Sequence, residues 1–256
     1  MILVTGATGH LGRRIARATA IAGARPILAG RSDEKLAALA HEIETDGSTC
    51  ERLVVDVSDP LQCEETVARL AAGLDRLDGI VNCAYSGRTG SLDSITPRDF
   101  EVACNQSLAG PFAALRAALP LLRESARRLA GGSSIVNIAS MYAHVSPDPR
   151  IYWNRGLQNP PHYGAAKAGL VQLTRYLAVH LAPENIRVNS VSPGPFPSPA
   201  AFREDPDFCK RLGEKVPLGR VAAADELVGP VLFLLSDAAS FITGADIPVD
   251  GGWTAW

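Results

Sequence analysis

Short apolar runs alternate with longer amphipathic segments along the whole chain. Seven runs rich in Ile, Leu and Val predict β-strands at residues 2–5, 26–29, 52–56, 79–82, 134–139, 187–191 and 246–249. Six segments between them repeat apolar residues with helical period, at residues 13–22, 33–44, 64–72, 112–128, 165–181 and 224–235. This regular alternation predicts a doubly wound α/β domain, in which a parallel seven-stranded sheet carries helices on both faces.

Two proline-rich stretches interrupt the alternation. Residues 141–162 contain four prolines and several aromatic residues, and residues 193–206 contain five prolines. Both follow predicted strands at the ends where open α/β sheets bind ligands, and long loops in a compact domain usually carry function. Because the sequence shows no linker, repeat or low-complexity segment, we expect one domain over residues 1–256, with substrate loops at 141–162 and 194–215.

The composition narrows the class of protein. The 256 residues include 25 Lys and Arg against 27 Asp and Glu, which excludes a strongly basic nucleic-acid binder. The five cysteines form no Cys-x-x-Cys pair and the five histidines form no ligand cluster, so we expect neither a disulfide framework nor a metal site. The N-terminus has no signal-peptide pattern, and the apolar run at residues 231–235 is too short for a bilayer. These features predict a cytoplasmic protein without a membrane or nucleic-acid partner.

A glycine turn joins the first predicted strand to the first helix. Gly6, Gly9 and Gly12 allow a tight turn and let a pyrophosphate approach backbone N–H groups at a helix N-terminus. The second strand ends in Arg31 and Ser32, with no acidic residue to hold a ribose 2′-hydroxyl. An arginine beside a hydroxyl suits a 2′-phosphate, so NADP(H) is favoured over NAD(H). The alternative is that Arg31 is a solvated surface residue.

Tyr163 and Lys167 lie four positions apart at the start of a helical segment, which places both side chains on one helix face. A nearby cation lowers the pKa of a phenol from about 10 toward working pH. Such a tyrosine can pass a proton to or from a carbinol oxygen. Alone, however, this pair of residues is common and carries little weight.

The order of the motifs is more specific than any one of them. After the glycine turn come Asp56-Val57, Asn82-Cys83-Ala84, Asn105, Ser140, Tyr163 with Lys167, Pro193-Gly194 and Asp250-Gly251-Gly252. Over essentially the whole chain this order resembles the compact, single-domain type of the short-chain dehydrogenase/reductase family, whose domain is Rossmann-like. The resemblance implies an NAD(P)-dependent enzyme.

The resemblance also implies roles for individual residues. Tyr163 matches the general acid/base, Lys167 would lower its pKa and hydrogen-bond the nicotinamide ribose, and Ser140 would hold the substrate oxygen. Asn105 would anchor a water molecule in a proton relay to Lys167. The implied cofactor contacts are Gly6, Thr8, Gly9, Leu11, Gly12, Arg31, Ser32, Asp56, Val57, Asn82, Ala84, Tyr163, Lys167, Pro193, Gly194, Phe196 and Ser198.

Two departures from the family pattern bear on the substrate. His10 stands where compact members usually have a glycine, and the resulting Gly-x-x-Gly-x-x-Gly spacing is typical of the sugar-nucleotide-modifying branch. The segment between Ser140 and Tyr163 is about ten residues longer than usual and contains Trp153, Arg150 and Arg155. With Asn82-Cys83-Ala84-Tyr85, it resembles a subgroup of gluconate 5-dehydrogenase-like oxidoreductases that act on sugar acids or polyols. Alternatively, this segment only packs on a neighbouring subunit.

We therefore expect an NADP(H)-dependent oxidoreductase that interconverts a secondary alcohol and a ketone on a small polar substrate. The glycine spacing leaves open an epimerase or dehydratase with a tightly held nicotinamide. A non-catalytic nicotinamide-binding sensor is a third reading, against which the set of Asn105, Ser140, Tyr163 and Lys167 argues. The apolar segments 108–122 and 165–181 resemble the pair of helices at the family's dimer interface, which predicts a homotetramer or a homodimer.

Overall fold

A single parallel sheet forms the centre of the molecule, in a computed structural model that describes residues 1–152 and 158–256. The strands lie in the order β3-β2-β1-β4-β5-β6-β7, and every pairing is parallel. The predicted fold class is therefore confirmed. The strands are β1 (Ile2–Thr5), β2 (Pro26–Gly30), β3 (Glu51–Val54), β4 (Gly79–Asn82), β5 (Ser133–Ile138), β6 (Ile186–Pro193) and β7 (Asp246–Val249).

Helices cover both faces of the sheet. Helices α1, α2 and α9 bury their apolar sides on one face, and α3, α5 and α6 bury theirs on the other. The direction of strand succession reverses between β1 and β4, and such a reversal opens a crevice at the carboxyl ends of the strands. The helices in the described residues are α1 (His10–Ile21), α2 (Asp33–Thr45), α3 (Pro60–Ala72), α4 (Pro97–Cys104), α5 (Gly110–Arg128), α6 (Pro161–Leu181), α7 (Pro199–Glu204), α8 (Pro206–Lys215) and α9 (Val228–Leu235).

The segment 194–215, expected to be a loop, is largely helical. Helices α7 and α8 each begin with a proline, whose fixed φ and missing N–H are tolerated in the first turn of a helix. Ser198 and Asp205 cap these helices by accepting hydrogen bonds from Ala201 N and Phe208 N. The prolines that predict a loop therefore start helices here.

The expected loop at residues 141–162 contains two short 3₁₀ turns, at Met141–Ala143 and Pro149–Ile151, and ends in the first residues of α6. Trp153 and Arg155, which the sequence places in this segment, lie outside the described residues. The described part packs against α8, where Lys215 Nζ lies 2.5 Å from Asp148 Oδ2 and Arg211 Nε donates to the Ile151 carbonyl at 3.1 Å. Both expected substrate segments are therefore joined to each other.

A buried chain of polar side chains fixes α6 on the sheet. Asn82 Nδ2 donates to Asn137 Oδ1 at 2.8 Å, and Asn137 Nδ2 donates to Thr174 Oγ1 at 2.8 Å. The three residues belong to β4, β5 and α6 and are at most 6% exposed. Buried polar groups are costly without partners, so this chain determines one position of α6 against two strands.

The sequence also makes predictions about membrane association and about assembly. Within residues 1–152 and 158–256, no helix is long and apolar enough to cross a membrane. Phe112 on α5 and Tyr176 and Val179 on α6 expose apolar side chains. The homotetramer or homodimer and the cytoplasmic location stay predictions.

The glycine turn after β1 leaves no room for side chains. Gly6 has φ +65°, and a Cβ atom there would lie 2.7 Å from Ala84 Cα. A Cβ atom on Gly12, in the first turn of α1, would overlap the carbonyl oxygen of Gly6. The close approach of α1 to β1 therefore depends on these two glycines.

Replacing Gly12 by alanine is predicted to destabilise the protein, although alanine is normally favoured over glycine in a helix by about 1 kcal/mol. We expect Gly12→Ala to lower the free energy of unfolding in urea by about 2 kcal/mol or more, because the turn must shift. Gly213→Ala is the matched control, since its added methyl group makes only ordinary contacts in α8. If Gly12→Ala and Gly213→Ala had the same free energy of unfolding, the close approach of α1 to β1 at Gly12 would be contradicted.

Candidate active site

One cavity of about 490 Å³ runs along the carboxyl ends of the strands. It begins at the glycine turn between β1 and α1, passes the end of β4 and reaches the start of α6. Sixteen of the predicted site residues line it: Gly6, Thr8, Gly9, Leu11, Gly12, Arg31, Asp56, Val57, Ala84, Ser140, Tyr163, Lys167, Pro193, Gly194, Phe196 and Ser198.

Three predicted site residues, Ser32, Asn82 and Asn105, do not line the cavity. Ser32 caps α2, where its hydroxyl accepts a hydrogen bond from Lys35 N at 3.3 Å. The Asn82 side chain is buried and bonded to Asn137. These two side chains have structural roles that local sequence does not reveal.

Asn105 begins a π-helical turn, Asn105–Ala109, that follows α4 directly. A π turn holds more residues than an α turn, so it shifts the angular position of successive side chains. The residue that lines the cavity is the neighbouring Gln106, which is 5% exposed. Asn105 does not itself line the cavity, and its expected role in a proton relay to Lys167 stays a prediction.

The glycine end of the cavity fits a pyrophosphate. Gly9 is the N-cap of α1 and has no side chain to accept hydrogen bonds from the first-turn N–H groups. These donors, at the positive end of the helix dipole, suit an anion. The absence of a Cβ atom at Gly6 and Gly12 keeps the backbone close to the space that such a group would occupy.

Beyond the glycine turn, the same end of the cavity carries a cation, Arg31, and a carboxylate, Asp56. Arg31 is exposed and, in the part of the chain that the structure describes, has no ion-pair partner. The nearest acid in sequence, Asp33, is bonded to Arg52 at 2.7 Å. Asp56 Oδ1 accepts hydrogen bonds from the Ser58 N–H and hydroxyl groups, which fix the carboxylate at the wall. An adenosine with a 2′-phosphate beside Arg31 fits this donor set.

Lys167 lies at the other end and is 4% exposed. Its Nζ donates a hydrogen bond of 2.6 Å to the carbonyl oxygen of Ile138, the last residue of β5, and lies 5.8 Å from the centre of the Tyr163 ring. Burial lowers the pKa of Lys167 to about 8. The ammonium is therefore still the main form at neutral pH.

The pKa of the Tyr163 phenol is raised by burial and lowered by a hydrogen bond with Ser140, and the first effect is the larger. This direction differs from the expected lowering by Lys167, because burial of the phenol is the larger effect. Ser140 Oγ accepts a hydrogen bond from Tyr142 N at 3.1 Å, which fixes the hydroxyl beside the phenol. A protonated phenol and a hydroxyl can together bind one carbonyl or carbinol oxygen.

Other residues line this end of the cavity without having been predicted as site residues, among them Cys83, Tyr85, Ser86 and Gln106. Ser86 N donates to Gln106 Oε1 at 3.0 Å, and Gln106 Nε2 donates back to Ser86 Oγ at 3.1 Å. The unusual motif Asn82-Cys83-Ala84-Tyr85 was the available signal for the first two residues. No pattern in the sequence pairs Ser86 with Gln106.

Comparisons with known proteins extend over nearly the whole chain. A family model described as enoyl-(acyl carrier protein) reductase matches residues 6–254. L-Xylulose reductase of Caenorhabditis elegans is 36% identical over 255 residues, which are 99% of this chain and 95% of that protein. D-Threitol dehydrogenase of Mycolicibacterium smegmatis is 32% identical over 253 residues, covering 98% and 92% of the two chains.

The fold of a solved relative agrees with these matches. The crystal structure of a gluconate 5-dehydrogenase from Burkholderia cenocepacia, in complex with NADP and tartrate, is similar with a TM-score of 0.86. It is 29% identical, and the similarity covers 100% of this chain and 95% of that one. Sequence, sheet order and cavity thus agree, and the chain belongs to the short-chain dehydrogenase/reductase family of oxidoreductases.

Proposed function

We propose that the protein is an NADP(H)-dependent oxidoreductase that interconverts a secondary alcohol and a ketone on a small hydroxylated substrate. One observation carries this proposal: Ser140, Tyr163 and Lys167 meet at one end of a cavity whose other end presents the glycine turn and Arg31. The nicotinamide, when bound, supplies or accepts the hydride. The protein residues position the substrate oxygen and move the proton.

In the reducing direction, the Tyr163 phenol donates its proton to the substrate oxygen. The raised pKa of this phenol keeps it protonated at neutral pH, and the Ser140 hydroxyl gives the same oxygen a second hydrogen bond. Lys167 remains charged below about pH 8 and stabilises the phenolate that proton transfer leaves behind. In the oxidising direction Tyr163 accepts the proton, so oxidation is favoured at higher pH than reduction.

The preference for NADP(H) is supported by the wall near Arg31. A guanidinium after the end of β2 that is unpaired among the described residues suits a 2′-phosphate. The Asp56 carboxylate, which lines the same part of the cavity, follows β3 and is bonded to Ser58. The gluconate 5-dehydrogenase from Burkholderia cenocepacia is a relative whose structure contains NADP. Both points support NADP(H) over NAD(H) here.

The lining of the catalytic end supports a hydroxylated substrate. Ser86 and Gln106 offer neutral hydrogen-bonding groups there. Arg150, which the sequence offers for an anionic substrate, is instead paired with Asp148 at 2.8 Å. L-Xylulose reductase and D-threitol dehydrogenase are relatives named for such compounds. We therefore place polyols and their ketones first and sugar acids second.

Removing the phenolic hydroxyl is predicted to abolish turnover. We expect Tyr163→Phe to lower kcat/KM by about 10²–10⁴-fold, the usual contribution of a general acid. The measurement is nicotinamide absorbance across polyols, ketoses and sugar acids, each with NADP(H) and NAD(H). Cofactor binding, followed by fluorescence, should survive because the ring remains.

Two outcomes of this panel would contradict the proposal. Near-wild-type turnover by Tyr163→Phe would remove this tyrosine as proton donor. Purified wild-type protein that carries cofactor and converts a substrate without net redox change would favour the epimerase or dehydratase reading instead.

Reversing the charge at Arg31 is predicted to change cofactor preference. We expect Arg31→Asp to weaken NADPH binding at least tenfold while NADH binding stays within about threefold, because a charge-assisted hydrogen bond is lost. Binding constants from titration calorimetry give the comparison. Arg69→Asp on the exposed side of α3 makes the same charge change outside the cavity and should alter neither constant. Equal losses for both cofactors would remove Arg31 from 2′-phosphate recognition.

Lys167→Met is predicted to inactivate the enzyme and stabilise its fold. A pKa lowered from 10.5 to about 8 means that the charged lysine costs the native state about 3 kcal/mol at pH 7. Loss of the hydrogen bond to Ile138 offsets part of this cost, so we expect a net gain of about 1–2 kcal/mol.

The stability gained by Lys167→Met is expected to depend on pH. Between pH 8 and 10 the unfolded chain binds the proton that native Lys167 has lost, so wild-type stability rises with pH. The advantage of Lys167→Met should therefore shrink over this range in urea titrations. Lys210→Met, on the exposed side of α8, is the control. The claim that the buried charge destabilises the native state would be contradicted if Lys167→Met were less stable than the wild type and the difference in unfolding free energy did not change with pH.

A further inference from the structure

Tyr85 has no role in the chemistry proposed above, yet its ring lies against both members of the catalytic pair. The Tyr85 and Tyr163 rings meet edge to face, with centroids 4.8 Å apart and an interplanar angle of 66°. Lys167 Nζ lies 5.5 Å from the centre of the Tyr85 ring, against 5.8 Å for the Tyr163 ring. The ammonium is thus flanked by two aromatic rings and bonded to one backbone carbonyl.

The surroundings hold the Tyr85 ring in this place. A Cβ atom on Gly87 would overlap the Tyr85 hydroxyl, so the chain turns back directly over the end of the phenol. The hydroxyl lies 3.5 Å from His162 Nδ1, a weak hydrogen bond. His162 is itself 1% exposed and packs edge to face on Phe100. The ring is therefore confined from two sides.

The charge states of this group follow from burial. Burial raises the pKa of the Tyr85 hydroxyl, which remains protonated within hydrogen-bond distance of His162 Nδ1. Burial is also the main cause that lowers the pKa of His162 below 6.5, so the imidazole is neutral above that pH. Tyr85 and His162 therefore bring no net charge to the catalytic pair.

We propose that Tyr85 is a positioning residue whose ring orients Tyr163 and holds the Lys167 ammonium against an aromatic face. This inference rests on the proposed function, because it acts through proton transfer by Tyr163. An aromatic ring attracts a cation to its face, and this attraction is strongest where water is excluded. Edge-to-face contact also favours one orientation of the partner ring. The ring, rather than its hydroxyl, carries the effect.

Loss of the Tyr85 ring is expected to move the pH dependence of alcohol oxidation to higher pH. Without the aromatic face, the charged form of Lys167 is less stable and loses its proton at a lower pH. A neutral Lys167 gives the Tyr163 phenolate less support, so the pKa of Tyr163 rises. Oxidation of an alcohol, which needs deprotonated Tyr163, then requires a higher pH.

Other titratable groups around the pair do not obscure this change. Burial raises the pKa of the Cys83 thiol to about 11 and that of the Tyr142 hydroxyl above its usual value, and both stay neutral at pH 7–9. Asp99, whose pKa is lowered mainly by hydrogen bonds from Thr96, stays ionised beyond His162. The titratable groups that interact with Tyr163, Lys167 or Tyr85 in the described residues are Cys83, Tyr142, Tyr152 and His162. Two carboxylates lie one step further away, Asp99 beside His162 and Asp148 beside Tyr142.

The test compares Tyr85→Phe with Tyr85→Leu, because leucine fills the space without an aromatic face. The kcat and KM of alcohol oxidation are measured from pH 6 to 10 on the best substrate of the panel. We expect Tyr85→Leu to lower kcat about tenfold and to move the alkaline midpoint up by about half a pH unit or more. The KM values should stay within threefold. Tyr85→Phe should keep the wild-type midpoint and lose no more than threefold in kcat.

Three results would overturn the inference. A Tyr85→Leu variant with a raised substrate KM and an unchanged pH profile would make Tyr85 a wall of the substrate site only. Equal losses in the Phe and Leu variants would transfer the effect to the hydroxyl and His162. If Tyr85→Leu had the kcat, KM and pH midpoint of the wild type, Tyr85 would have no role in positioning Tyr163 and Lys167. If Tyr85→Leu does not fold, Tyr85→Met is read in the same way.

Tyr163→Phe in the same assay separates this inference from the function on which it rests. If Tyr163→Phe remains active, the proposed proton donor is wrong, whatever the Tyr85 variants do. If Tyr163→Phe is inactive while Tyr85→Leu keeps the wild-type profile, only the role of Tyr85 fails.

Discussion

The burial of one lysine ammonium constrains the whole catalytic end of this molecule. A charge inside a protein is tolerated only where polar groups replace its hydration shell, and Lys167 finds the carbonyl of Ile138 at 2.6 Å. That carbonyl is available because it belongs to the last residue of β5. The ammonium can reach it only if α6 holds a fixed position along β5. The Asn82–Asn137–Thr174 chain, which ties β4, β5 and α6 together, provides that position.

The two halves of the site are held in place by different kinds of contact. The glycine turn, β4, β5 and α6 hold the cofactor side through backbone geometry and buried hydrogen bonds. On the proposed substrate side, residues 141–152 and helix α8 share a small core with Trp253 near the C-terminus. The ion pair of Lys215 with Asp148 links the two segments. We therefore expect a substitution in one of these segments to shift the other one as well.

Sequence patterns predicted the parts of this structure that depend on local order. The seven strands, the glycine turn and the Tyr163–Lys167 spacing follow from periodicity and short-range geometry, and the structure places them as expected. The prolines of residues 193–206 were misleading, because a proline that breaks one element can start the next.

The remaining site residues depend on contacts between distant segments. Gln106 lines the cavity from the π turn that follows α4, which no composition signal marks. Its bonds to Ser86, and the packing of Tyr85 on Tyr163, arise from the path of the chain after β4. Such contacts join residues 20 and 78 positions apart, so neither helical nor strand period reports them.

The central claim is that this cavity transfers a hydride between a nicotinamide and one carbon of a small hydroxylated substrate. It is tested most directly by incubating the wild-type enzyme with NADPH deuterated at C4, on each face in turn, and a ketose substrate of the panel. Mass spectrometry of the product should show one deuterium on the new carbinol carbon for one face only. Product formation with all deuterium retained on the cofactor, for both faces, would contradict the account.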